Sequence, residues 1–248
     1  MGNPSGSADP SPAPEPVADN PGSNEAMLTD AHIWYIRGYT DNTIRPDHTI
    51  TRAETAMVFF RLLDPRLKAA APAAMAFSDV PADEWYGLAV DTLASHGILS
   101  GYTDGSFKPD RPITRSELAA VVSRFDSLAE TSDNPFNDLD ADSWAYAYIL
   151  SAAKKGWFVG YSDGRFRPDA DITRAEFVAV ANRVLGRHLE LEDIPGGVHK
   201  FDDLDRSHWS YTDFMEAVYT HDFVRKEDGA SEEWEEITDD GIQKAYNQ

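Results

Sequence analysis

The chain repeats itself. Three segments align without a gap: GYTDNTIRPDHTITRAETA from Gly38, GYTDGSFKPDRPITRSELA from Gly101 and GYSDGRFRPDADITRAEFV from Gly160. Their arginines, Arg52, Arg115 and Arg174, stand 63 and then 59 residues apart. A period near 60 implies that each unit is one supersecondary element that buries its apolar face against its neighbours.

Each unit has two halves. The first opens on Phe-x-Asp and continues into an amphipathic stretch led by a tryptophan, as in FSDVPADEWYGLAVDTLASHGIL from Phe77 and FNDLDADSWAYAYILSAAKKGWFV from Phe136. Its apolar spacing predicts helices near 83–95 and 142–155, and near 207–221 in the matching stretch from Phe201. The second half is the Gly-Tyr turn, an extended link through Pro46, Pro109 or Pro168, and a helix over about 52–63, 115–125 or 174–185. The first unit lacks an opening half and the last stretch lacks a closing one. We therefore expect residues 201–225 to complete unit one (26–64), beside unit two (77–126) and unit three (136–186), in one module spanning 26–225. Trp209, Phe214 and Val218 would then bury against Ile33, Ile36 and the helix carrying Val58 and Leu62. Residues 1–25, rich in Pro, Ser and Gly, read as a disordered linker, and 226–248 as an acidic tail that Trp234 could tuck onto the body.

The polar residues of the turn and helix divide by role. Gly105 and Gly164 supply a left-handed backbone position, which Asn42 tolerates best among the other residues. The Thr-Arg-x-Glu spacing is that of a capping box, which accounts for Thr51, Thr114 and Thr173 and for Glu54, Glu117 and Glu176. Capping does not need the arginine, and a cation in the first turn opposes the helix dipole. Arg52, Arg115 and Arg174 are thus either anion ligands suited to a planar carboxylate or partners of Asp41, Asp104, Asp163 or the capping glutamates. Trp85, Trp144 and Trp209 are either core or the aromatic lining of a cleft that would suit a sugar ring.

Composition narrows the classes. A formal net charge of -21 argues against nucleic acid as a partner. There is no cysteine, so thiolate chemistry is excluded. No apolar run reaches membrane-spanning length, and the N-terminus lacks the pattern of a signal peptide. The loop from Asp104 to Asp110 lacks the alternating oxygen ligands of an EF-hand, and the seven histidines show no metal-ligand spacing. No metal, cofactor or catalytic residue is expected, and the chain reads as a binding module.

At these residues the sequence resembles the S-layer homology family, whose pattern is matched nearly in full at 77–125 and 136–185; Asn42, Ile44 and Ser116 are mild departures. The resemblance implies an all-α module, mostly helical with short extended links: three prongs around a pseudo-threefold axis, with binding grooves between units. It implies a monomeric, extracellular, wall-associated protein whose partner is a bacterial cell wall glycan. The leading candidate is secondary cell wall polysaccharide bearing a pyruvylated amino sugar; modified peptidoglycan, or a structural role in surface assembly or protein docking, are the alternatives. Carried over, the ligand-binding set is Arg52, Arg115 and Arg174, with Asp41, Asp104, Asp163, Thr43 and Ser106 of the turns and Trp85, Trp144 and Trp209.

Overall fold

The computed structural model describes Met27 and residues 31–69, 77–227, 229 and 231–240; the expected linker at 1–25 lies outside them. Along the chain run α1 (Arg52–Leu62), α2 (Pro65–Ala69), α3 (Gly87–Ser95), α4 (Arg115–Ser123), α5 (Tyr146–Lys154) and α6 (Arg174–Leu185). A short 3-10 turn (Leu191–Asp193), α7 (Tyr211–Val218), β1 (Tyr219–Arg225) and β2 (Glu232–Asp240) follow. The described chain is mostly helical, with one small antiparallel sheet that an all-α reading did not include.

The helices α1, α4 and α6 begin where the sequence places them, because the capping box fixes their first turn in all three cases. The tryptophan-led helices α3, α5 and α7 start four residues later than their apolar spacing suggested. Their preceding residues form successive tight turns, Glu84 N–H to Pro81 C=O and then Gly87 N–H to Glu84 C=O in the first case, and no side chain caps the helix start.

Each tryptophan-led helix packs on the motif helix of the unit before it: α3 on α1, α5 on α4 and α7 on α6. Phe214 and Val218 are fully buried, as expected, but α7 lies chiefly on α6 and not on the helix carrying Val58 and Leu62. Its link to the N-terminal segment is through backbone: Tyr35 and Ile36 N–H both donate to Ala217 C=O, at 2.8 and 3.2 Å. Tyr35 Oη in turn donates to Asn182 of α6 at 2.6 Å. Trp209, expected to be buried, is 59% exposed and lies in the turn that precedes α7 and not on the helix.

The extended links before α1, α4 and α6 meet at the centre. Ile113 N–H donates to Ile50 C=O, Ile172 N–H to Ile113 C=O, and Ile50 N–H to Ile172 C=O, a closed cycle of hydrogen bonds. All three isoleucines are buried, and fully burying such a side chain is worth about 1.5–3 kcal/mol. Around them lie Phe59, Phe107, Phe166 and Phe177, each with no exposed surface.

Residues 232–240, expected as part of an acidic tail, form the second strand of the β1–β2 sheet. The strand is mostly acidic, with Trp234 and Ile237 as its large apolar residues, and of these Trp234 faces inward. Trp234 is 7% exposed, stacks on His221 at 4.1 Å and packs against Tyr219.

Candidate functional site

The repeated turn is built identically three times. Tyr39, Tyr102 and Tyr161 N–H donate to Thr43, Ser106 and Arg165 C=O at 2.7–2.8 Å, and Asn42, Gly105 and Gly164 take φ of 64°, 81° and 77°. Asp41, Asp104 and Asp163 staple their own turns, accepting from the N–H two residues on. Asp41 and Asp104 also accept from the hydroxyls of Thr43 and Ser106, at 2.6 Å each. The Thr43 hydroxyl and Arg45 hold the Asp41 carboxyl down at about 2. Asp41, Asp104 and Asp163 pair with Arg45, Lys108 and Arg167, and not with the motif arginines.

A second left-handed position follows, at Arg45, Lys108 and Arg167, with φ of 55°, 57° and 58°. This is a costly backbone state for a residue with a side chain. One carboxylate braces it in each unit. Asp203 accepts from Ile44 and Arg45 N–H, Asp79 from Phe107 and Lys108, and Asp138 from Phe166 and Arg167, all at 2.7–2.8 Å. These are the aspartates of Phe-x-Asp, whose phenylalanine lies on the turn glycine. A Cβ at Gly38, Gly101 or Gly160 would come within 2.5, 2.3 or 2.5 Å of Phe201, Phe77 or Phe136.

The motif arginines reach across to the next turn. Arg52 Nε donates to Phe107 C=O at 2.8 Å, Nη2 to Ser100 C=O at 2.7 Å, and Nη1 lies 3.5 Å from Glu117. Arg115 meets Phe166 C=O, Val159 C=O and Glu176 in the same way, and Arg174 meets Ile44 C=O, Arg37 C=O and Glu54. All three guanidiniums are buried, which lowers their pKa, partly offset by the neighbouring acidic groups. Thr51, Thr114 and Thr173 cap their helices, and each capping glutamate also accepts from the turn tyrosine: Glu54 from Tyr39, Glu117 from Tyr102 and Glu176 from Tyr161. Burial pushes the Tyr102 hydroxyl up to about 12.

Two grooves open at these junctions, lined by equivalent positions. One holds Arg52, Tyr102, Glu117, Arg124 and Trp144; the other holds Arg174, Tyr39, Glu54, Arg61 and Trp85. The first encloses about 30 Å³ and the second about 510 Å³, where Trp34, Phe60 and Lys68 extend the wall. Trp85 is 59% exposed, so its indole is a groove wall and not core. Asp41, Asp104, Asp163, Thr43 and Ser106 sit in the turns and line neither groove. Sequence reasoning missed the tyrosines, the bracing aspartates, and Arg61 and Arg124. The signal was present: the tyrosine follows the turn glycine in every unit, and an arginine recurs nine residues after each motif arginine, at 61, 124 and 183.

The profile of the S-layer homology domain matches residues 35–56, 76–119 and 135–178, one match on each turn-and-helix segment. The chain belongs to the S-layer homology family. It is similar to Cell surface glycoprotein 1 of Acetivibrio thermocellus, 35% identical over 204 residues, covering 78% of this chain and 9% of that protein. It is also similar to the Cellulosome-anchoring protein of the same organism, 34% identical over 208 residues, 81% of this chain and 45% of that protein. The S-layer protein of Bacillus licheniformis is 32% identical over 142 residues, 56% of this chain and 16% of that protein. The chain thus spans less than half the length of these relatives.

Proposed function

We propose that the chain is a non-catalytic anchoring module that holds a protein at the bacterial cell surface by binding a carboxylate-bearing wall glycan, such as a pyruvylated secondary cell wall polysaccharide, in the grooves between its units. The observation that carries this reading is the repeated groove, with a fixed guanidinium and an indole in its lining, exposed at Trp85 and half-buried at Trp144. An arginine has five N–H donors, and Arg52 and Arg174 each direct three at carbonyls or the capping glutamate. The count leaves one N–H on Nη1 and one on Nη2, a pair spaced for the two oxygens of a carboxylate. The apolar face of Trp85 or Trp144 suits the ring of the attached sugar. The names of the relatives, a cell surface glycoprotein, a cellulosome-anchoring protein and an S-layer protein, support the surface location and the anchoring role.

In the same reading, residues 201–225 act as the first half of unit one, and the three units close into a pseudo-threefold, monomeric body. Support comes from Phe201 and Asp203, which engage the Gly38 turn as Phe77 and Asp79 engage the Gly101 turn. With a net charge of -21, the protein is repelled by a polyanionic wall at long range, so affinity rests on contacts inside the grooves and salt dependence is modest.

The test is retention on purified wall sacculi before and after chemical removal of the secondary polymer. Loss of binding on stripped walls is expected. Undiminished retention on bare peptidoglycan would replace the polysaccharide with peptidoglycan as the ligand. Retention unaffected by replacing Trp85 and Trp144 together with alanine would move the function away from the grooves, to docking or surface assembly.

A further inference from the structure

The geometry points to a structural zinc site, distant in sequence from the motif residues, built from His32, Glu216, His221 and Glu232. The four side chains come from four places: the N-terminal segment, the last turn of α7, β1, and the first residue of β2. All are at most 1% exposed. His32 Nδ1 lies 2.9 Å from Glu216 Oε1, 3.0 Å from His221 Nε2 and 3.3 Å from Glu232 Oε2, and His221 Nε2 lies 3.2 Å from Glu216 Oε1. One ligand atom from each residue falls within a 4.8 Å cluster.

Hydrogen bonds alone do not account for this convergence. An imidazole nitrogen carries at most one proton, yet His32 Nδ1 faces three atoms that offer lone pairs, and carboxylates only accept. Glu216 Oε1 and both oxygens of Glu232 receive no hydrogen bond of acceptable angle from the described residues. A tetrahedral zinc ion with bonds of about 2.0–2.2 Å has ligand-to-ligand edges of about 3.3–3.6 Å; four of the six spacings here are 2.9–3.3 Å and all lie within 4.8 Å.

The surroundings hold the ligands in place. Trp234 Nε1 donates to Glu216 Oε2 at 3.1 Å, and Arg225 Nη1 lies 3.0 Å from Glu232 Oε1. Arg187 Nη1 stands 3.9 Å from Glu216 Oε1 and donates to Ile33 C=O, while Nη2 donates to Ala31 C=O. The far ring nitrogens, His32 Nε2 and His221 Nδ1, have no hydrogen-bond partner among the described residues. Stacking fixes the rings instead, His32 on Phe223 at 3.8 Å and His221 on Trp234 at 4.1 Å. Two imidazoles with two carboxylates suit zinc over calcium or magnesium, which take oxygen ligands. Four protein ligands in a closed pocket make the ion structural, a pin joining the N-terminal segment to the C-terminal hairpin. The sequence concealed it because the ligands are spread from 32 to 232 with no local spacing.

The experiment uses the full chain, purified without chelator. Metal analysis is expected to find about one zinc per chain. After stripping with a chelator, Co2+ should bind one to one with the intense visible absorption of a tetrahedral ion, and Zn2+ but not Mg2+ should raise the melting temperature. Glu232→Gln and His221→Gln should each weaken Zn2+ binding at least about a hundredfold, more than the 10–100-fold typical of an outer partner, while His208→Gln leaves it unchanged. A folded chain that takes up neither Zn2+ nor Co2+ overturns the site, as does binding unchanged in both ligand variants. If the variants fail to fold, the parent decides: a weak octahedral Co2+ spectrum overturns the proposal and a tetrahedral one supports it.

Discussion

Removing a single carboxylate from each unit in turn tests whether the C-terminal stretch serves the first turn as the internal stretches serve theirs. Asp79, Asp138 and Asp203 each accept two backbone N–H groups at 2.7–2.8 Å and hold the left-handed residue before a proline. A hydrogen bond to a charged group contributes about 1.5–3 kcal/mol net. Asp79 and Asp138 are half-buried and Asp203 is exposed, so the lower end applies. Alanine at 79 or 138 should cost about 2–4 kcal/mol, and at 203 about 2 kcal/mol. In a body of about 200 residues this lowers the melting temperature by roughly 4–16 °C, at about 2–4 °C per kcal/mol. The assay is urea unfolding followed by tryptophan fluorescence, with the asparagine variants alongside; an amide keeps one acceptor oxygen and should recover about half the loss. If Asp203→Ala stays within about 0.5 kcal/mol of the parent, the scatter of an ordinary surface change, while the other two fall, then 201–225 does not complete unit one.

Three further outcomes follow from the same geometry. Gly38→Ala should cost about 1–3 kcal/mol by thermal melting, because its Cβ would stand 2.5 Å from Phe201, and adding Phe201→Leu should recover part of that loss; strictly additive effects would deny the contact. Arg52→Lys should destabilise by about 2–3 kcal/mol in the same assay, since one ammonium group cannot meet Phe107 C=O, Ser100 C=O and Glu117 together. Trp85→Ala should reduce retention on wall sacculi several-fold with a stability change within about 0.5 kcal/mol, and more than Trp144→Ala does, because Trp85 walls the groove of about 510 Å³.

The parts of this fold that the sequence disclosed are those whose cause is local. The capping boxes at Thr51, Thr114 and Thr173 and the left-handed turn positions at Asn42, Gly105 and Gly164 depend on residues within a few positions of one another, so spacing alone reveals them. The parts it withheld are set by partners far along the chain. Trp209 reads as core by analogy with any repeated aromatic, and only the packing of α7 on α6 puts it outside. The β1–β2 hairpin was hidden because its run of acidic residues looks like a solvated tail; Glu232 and Trp234 turn inward, and the stacking partner of Trp234, His221, lies 13 residues earlier in the other strand. The motif arginines were left between ligand and ion pair; each is tied to a glutamate, but one in the next unit, which spacing within a unit does not reveal.

That last arrangement ties groove to fold. No unit satisfies its own arginine: Arg52 spends its donors on unit two, Arg115 on unit three, and Arg174 on Ile44 C=O and Arg37 C=O in unit one. A unit cut out alone would leave its guanidinium and the carbonyls that receive its neighbour's arginine to water, and would lose charge-assisted hydrogen bonds worth about 1.5–3 kcal/mol each. The junction at Arg174 differs from the other two in what supports it. The carbonyl that receives its Nε belongs to Ile44, whose own N–H is held by Asp203 from the far end of the chain. The larger groove, lined by residues between Trp34 and Trp85 and by Arg174, therefore rests on a turn that Asp203 braces, while the groove at Arg52 rests on units that adjoin in sequence.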